Sequence, residues 1–203
     1  SHVLVGATAE SIRTTRVSMA GADLVIGCDP IVTAGKETIL RMREGRTRVA
    51  LSGHASPTAA FVRNADWANP ADACVGEVTR AVGAPQVGVF DADRAATRLM
   101  GDAIYANPMM LGFAWQKGWV PVGLEALMRA IELNGVAVES SKRTFNWGRL
   151  AAHNLAAVQA AGYPKAGDAG IVTISQLKPI TVQLTLPQQQ LQQVNRALAA
   201  GPV

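Results

Sequence analysis

The sequence predicts an α/β protein built on a mostly parallel, Rossmann-like three-layer sheet with helices on both faces, followed by a C-terminal extended arm. Three observations predict it. Short apolar runs at residues 24–28, 48–52 and 87–90 have the near-continuous apolarity of strands covered on both sides. Helical stretches alternate with them, a pattern that calls for right-handed crossovers and a parallel sheet. After a Pro/Gly/Ala-rich linker at 162–170, residues 180–186 alternate apolar with Thr or Gln without exception, which is half-buried strand patterning. The expected division is a body of residues 1–160 and a linker with strand and helix arm over 161–203.

In chain order, residues 3–5 read as a short strand, and those up to Met19 as loop or weak helix. The 24–28 strand ends at Asp29-Pro30, a carboxylate cap followed by proline at the first helical position, which opens a helix over 31–43. Ser56-Pro57 repeats that pattern after the 48–52 strand. Residues 64–72 form a loop pinned by Trp67, and 71–82 is helical. Gly83 to Pro85 turns the chain into the 87–90 strand, and Asp91 or Asp93 caps the central helix. Further helices are expected over 124–133, stopped by Asn134-Gly135, and over 138–152. After Pro187, Leu191, Val194 and Leu198 fall on one helical stripe, so the arm is expected to dock on something, and the 180–186 strand to cover an exposed sheet edge.

Composition narrows the function classes. With 49% apolar and 17% charged residues, this is a globular chain long enough for one core. No apolar run approaches a membrane span and no signal-peptide layout opens the chain, so a cytoplasmic location without membrane contact is expected. Aromatic residues make up only 5% of the chain, too few for the stacking texture of a nucleic-acid binder. Cys28 and Cys74 are the only cysteines and lack metal-ligand spacing, so no metal site is expected and both read as buried thiols. Arg41, Arg43, Arg46 and Arg48 suit a cationic helix end followed by a solvated turn at Gly45. Dinucleotide, Walker and nucleophile-elbow motifs are missing, and no catalytic residue is assigned.

Residues 99–118 read as the central core helix, with an apolar stripe of Leu99, Ala103, Ala106, Met110, Phe113 and Ala114. Gly101, Ala103, Ala106, Gly112 and Ala114 leave room for another backbone, and Pro108 is expected to kink or restart the helix, with Asn107 serving the break. Asp102 and Asn107 are polar groups that either meet a partner or lie in solvent. In an open parallel sheet, ligands bind beyond the carboxyl ends of the strands. Those ends offer Asp29, then Ser52, Gly53 and His54, then Asp91 and Asp93. Asp29 or Asp91 with His54 would make an acid–base pair if the loops converge, although each aspartate already has a sufficient role as a helix cap.

Five blocks carry a family resemblance. Ala-Asp-Leu-Val-Ile-Gly-Cys-Asp (22–29), Pro-Thr-Ala-Ala-Phe-Val-Arg-Asn-Ala-Asp-Trp (57–67), Met-Gly-Asp-Ala-Ile-Tyr-Ala-Asn (100–107), Leu-Gly-Phe-Ala-Trp-Gln-Lys-Gly (111–118) and Ala-Ile-Glu-Leu-Asn-Gly-Val-Ala-Val-Glu (130–139) occur in order over roughly residues 1–153. Together they resemble the gamma-type domain of the indolepyruvate:ferredoxin oxidoreductases. Enzymes of that family decarboxylate a 2-oxo acid on thiamine diphosphate and pass electrons through iron–sulfur clusters to ferredoxin. The gamma-type domain usually begins with a Gly-rich strand–turn–helix unit that is missing here, so a fragment or a divergent stand-alone subunit is expected. The arm from Ile171 onward has no counterpart in the family pattern.

The resemblance implies a non-catalytic domain, inactive alone, in a complex that acts on the oxo group of a 2-oxo acid. Thiamine diphosphate and iron–sulfur clusters are then expected on partner domains or subunits of thiamine-binding and ferredoxin-like type, with ferredoxin as electron acceptor and a homo- or hetero-oligomeric assembly. The candidate partner-interface residues are Asp102, Asn107, Met109, Met110 and Asn134. The candidate strand-end rim is Asp29, His54 and Asp91. The alternative is a stand-alone Rossmann-like module that binds a nucleotide or small anion at that rim.

Overall fold

The structure is a computed structural model that describes residues 1–54 and 69–162. The Ser56-Pro57 helix start, the Trp67 anchor, the linker beyond residue 162 and the strand and helix of the arm lie outside the described residues.

Among the described residues, three parallel strands form one sheet in the order β1 (Leu24–Gly27), β2 (Arg48–Ser52), β3 (Val87–Phe90). Val25, Val49 and Val87 stand in register, as do Ile26, Ala50 and Gly88 on the opposite face. The central strand needs apolar side chains on both sides, and residues Val49 to Ser52 are all buried. Val49 and Leu51 pack with Met42, Val78 and Val82. Ala50 and Phe90 join the opposite core, where they meet Ala96, Met110 and Phe113. The α/β expectation holds in this form: a small parallel sheet with a core on each face.

After β1, Asp29 caps α1 (Pro30–Thr33) as the Asp-Pro pair predicts, with its Oδ1 accepting from the Ile31 and Val32 amides at 2.7 and 3.2 Å. The single helix expected over 31–43 is instead two short ones, α1 and α2 (Lys36–Ile39). Gly35 between them takes up an extended ψ of 141° and breaks the ladder. Helix α3 spans Ala71–Val82, and Gly83 at φ 91° turns the chain toward β3. Residues 3–5 form no strand: Val3 and Val5 stand in solvent without a paired neighbour. Strand patterning in three residues does not persist without a ladder to join.

The central element also departs from expectation. The break falls at Gly101, which ends α4 (Ala92–Met100) in the left-handed region at φ 87°. Asp102 then caps a 3₁₀ turn, Ala103–Tyr105, and α5 runs over Ala106–Gln116 without interruption. Pro108 lies in the first turn of α5, where backbone amides have no intrahelical acceptor to lose. Asn107 is exposed and serves no kink.

Helix α5 lies between the sheet and α7 (Val138–His153). Toward the sheet, Phe113 packs on Phe90 with ring centroids 4.9 Å apart and covers Gly88, where a Cβ would come within 2.7 Å of the Phe113 ring. Toward α7, backbone meets backbone. A methyl group on Gly112 would collide with the Phe145 carbonyl, and one on Gly148 with the Met109 carbonyl. Of the small residues of the central stretch, Gly112 admits another backbone, the chain's own α7, whereas Gly101 faces open space and Ala103 is exposed.

Helix α6 (Leu124–Asn134) ends at Gly135 in the left-handed region at φ 71°, as Asn134-Gly135 predicts. It is tied to α7 by the Lys142 ammonium donating to Glu132 Oε1 at 2.8 Å. A final helix, α8 (Leu155–Gly162), was not expected; Asn154 Oδ1 accepts from the Ala157 amide at its start, and Val158 enters the core.

Gly112→Ala or Gly148→Ala is expected to destabilise the fold by about 3 kcal/mol, the upper end of overpacking costs, because the obstacle is backbone that cannot swing aside. Gly76→Ala, in mid-α3 with nothing within 4 Å, is expected to stabilise it by about 0.5–1 kcal/mol through helix propensity. Urea unfolding of the three variants checks the contrast, and equal effects would refute the α5–α7 contact.

The Glu132 carboxyl is held below its usual value by hydrogen bonds from Lys142 first and Arg129 second. The stability this adds is complete above the unfolded carboxylate range and is lost as pH falls through the lowered folded value. Lys142→Met should therefore raise the Glu132 midpoint in a carboxyl NMR titration; an unmoved midpoint would mean that the pair does not form in solution.

Candidate functional site

The carboxyl ends of the three strands gather the polar rim. β2 ends in Ser52, whose side chain is fully buried yet satisfied. Its Oγ donates to Asp93 Oδ2 at 2.8 Å and accepts from the Ala92 amide at 3.3 Å. One hydroxyl thus joins the end of the central strand to the first turn of α4. A buried hydroxyl left without partners would cost about 1–3 kcal/mol, which explains why both of its roles are filled.

Asp91 follows β3 and caps α4, with Oδ1 accepting from the Arg94 amide at 2.8 Å. Its other oxygen, Oδ2, lies 3.7 Å from His54 Nδ1. That separation is an ion-pair distance when the imidazole is protonated and is too long for a hydrogen bond. Both side chains are partly open to solvent, at 43% for His54 and 34% for Asp91. Of the three expected rim residues, the fold brings His54 and Asp91 together. Asp29 is not joined to them by any hydrogen bond or ion pair; its carboxylate is committed to the start of α1.

Cys28 completes the rim and was missed as a member of it. It directly follows β1, alongside the Ser52 end of β2, and belongs to the core edge on that face. Burial, and after it the Asp93 charge, pushes its thiol up. Cys74, on α3, is pushed up by burial first and by the Glu77 and Asp29 charges next. Both sulfurs are half-buried rather than fully buried, and both are poor thiolates. The strand register carried the signal for Cys28, since one residue past Gly27 stands one residue past Leu51.

The interface candidates divide into two groups. Asp102, Asn107 and Asn134 are exposed. The Asp102 carboxylate caps the 3₁₀ turn by accepting from the Ile104 amide at 2.9 Å. Met109 and Met110 must be corrected: both are 0% exposed and packed in the core beside Phe113, so the fold itself consumes them. Removing such a side chain costs about 2–5 kcal/mol in stability, which makes them structural residues. The arginine cluster is not one solvated helix end: α2 stops at Ile39, Arg41 is half-buried, Arg43 and Arg46 lie in the following turn, and Arg48 opens β2. Arg41 pairs with Glu37 at 3.2 Å, Arg46 with Asp23 at 2.7 Å, and Gly45 turns at φ 70°.

Chemically, the rim is a hydroxyl–carboxylate pair, a histidine–carboxylate pair and a hindered thiol, each tied to a strand end or a helix cap. Asp93→Asn removes the charge that works with burial on Cys28, so the pH midpoint of Cys28 alkylation, followed by mass spectrometry, should move down. Because burial is the larger cause, the midpoint should remain above that of a free thiol; a midpoint unchanged by the substitution would refute the effect of the Asp93 charge on Cys28.

No family model matches the chain, and neither does any curated protein or solved structure.

Proposed function

We propose that this chain is a non-catalytic gamma-type domain or subunit of a 2-oxoacid:ferredoxin oxidoreductase of the indolepyruvate type, a Rossmann-like module that packs against and completes the catalytic domains. The sequence blocks supply the family reading. The observation that carries the packing role is the placement of bare aliphatic side chains beside the polar interface candidates. Ile104 is 70% exposed two residues from Asp102, and Leu133 and Val136 are 71% and 68% exposed on either side of Asn134. Each is worth about 1.5–3 kcal/mol when fully buried by a partner, against an orientational cost of association that is met once.

The chain's own donors do not fit an iron–sulfur cluster. Its two cysteines sit on separate segments, both thiols are pushed up, and an all-cysteine cluster needs four thiolates. In this reading the clusters, and the thiamine diphosphate that supports oxo-acid decarboxylation, belong to neighbouring domains, with ferredoxin as the acceptor of the assembled enzyme.

The alternative, a stand-alone module binding a nucleotide or small anion at the strand ends, draws on the contact between His54 and Asp91. Against it, Asp29 and Asp91 already serve helix amides, and three carboxylates with one histidine repel an anion.

Ile104→Ser, Asp102→Ala and Asn107→Ala are expected to leave the full chain folded by circular dichroism. Each should weaken co-purification with the thiamine-binding and cluster-bearing segments and lower oxo-acid-dependent ferredoxin reduction. Variants that assemble and turn over like the wild type would refute the interface. A stoichiometric brown chromophore on the chain alone, after anaerobic reconstitution with iron and sulfide, would refute the division of labour.

A further inference from the structure

A cleft of about 450 Å³ opens where the end of α5 passes α7, lined by Gln116, Asn146, Arg149, Leu150 and His153. It is a shallow depression, wide open to solvent. Asn146, Arg149, Leu150 and His153 are spaced i, i+3, i+4 and i+7, so one helix face presents all four.

Arg149 is fixed on several sides. Its guanidinium carbon lies 5.1 Å from the Trp115 ring centroid. That ring is itself held, because its indole N–H donates to the Val122 carbonyl at 2.8 Å and its face leans on Phe145 at 6.0 Å. Arg149 Nε donates to Gln116 Oε1 at 3.0 Å, and Nη1 donates to Asn146 Oδ1 at 3.2 Å.

These two hydrogen bonds decide what the cleft offers. A guanidinium only donates, so both amides must turn their oxygens to Arg149 and their NH₂ groups elsewhere. Arg149 Nη2 keeps both of its N–H groups. The cleft therefore presents a guanidinium edge that, among the described residues, no carboxylate neutralises. None of the residues that line it is acidic, and Arg149 and His153 are basic.

We propose that this cleft binds the oxyanion group of a small molecule, a phosphate or a carboxylate. The Arg149 fork engages two oxygens, the Gln116 and Asn146 amides donate from the flanks, His153 closes the far turn, and Leu150 lies against the apolar part of the ligand. The site is separate from the strand-end rim and does not rest on the oxidoreductase reading.

The test is a ¹H–¹⁵N NMR titration of the full chain with inorganic phosphate and, separately, with succinate, at constant ionic strength set by sodium chloride. Saturable shifts of the Trp115 indole N–H and Arg149 Nε–H are expected with at least one of them, and the one that binds identifies the source of the oxyanion. Arg149→Lys keeps the charge but loses the fork, and should weaken binding at least about tenfold. His153→Ala, at an exposed position, should weaken it without disturbing the fold. The proposal is overturned if neither anion gives saturable shifts in the wild type, or if Arg149→Lys binds as tightly as the wild type.

Discussion

The contact on which the rest of the structure depends is the crossing of α5 and α7 at Gly112 and Gly148. Ordinary helix pairs keep their axes about 8–10 Å apart because side chains fill the space between them. Here each glycine faces a carbonyl of the other helix, and no side chain intervenes. Contact this close leaves room for weak Cα–H···O interactions, but its larger effect is geometric. With α7 drawn tightly onto one side of α5, the opposite side reaches the sheet, where Phe113 lies over Gly88 and against Phe90. Two glycines on the helices and one on the central sheet face thus set the thickness of the whole layer.

That crossing also decides which residues of the central stretch are buried. Met109 and Met110 flank the crossing and are sealed by it. Exposed aliphatic side chains include Ile104 in the 3₁₀ turn and Leu133 and Val136 around Gly135, besides Val3, Met19 and Val32 elsewhere. Ile104 and Val136 lie in the connections between helices and Leu133 in the last turn of α6, and among the described residues none of the three is covered. Polar residues chosen beside them from sequence, Asp102 and Asn134, share that exposure.

Local signals were legible in the sequence and tertiary ones were not. The bounds of β2, β3 and α3 derive from apolar runs and turn residues, and the cap at Asp29-Pro30 and the stop at Gly135 from side-chain chemistry confined to one turn. The break in the central stretch was misplaced because proline inside a helix reads as a disruption. It is harmless in a first turn, and whether Pro108 lies in a first turn depends on Gly101 having ended the helix before it. Residues 31–43 failed likewise at Gly35, where helical periodicity continues across a backbone that does not. At the strand ends, register rather than spacing decides which residues meet. His54 reaches Asp91 because β2 pairs with β3, while the Asp29 carboxylate turns to its own helix.

The Arg149 cleft shows the same division between local pattern and tertiary contact. Asn146, Arg149 and His153 announce a shared face by their spacing alone, but nothing in that spacing says what the face meets. Gln116 stands one turn after Gly112, and Arg149 is the residue after Gly148. The glycine crossing therefore also fixes how near the end of α5 comes to the Arg149 side chain. It sets the guanidinium over Trp115 and within hydrogen-bond reach of Gln116. A wider crossing with alanine at either glycine would move Trp115 and Gln116 away from Arg149, whereas Asn146, on the same helix as Arg149, would stay with it. The constraint that closes the core is thus the one that holds the guanidinium in place, and packing and recognition on this side of the molecule rest on the same pair of missing side chains.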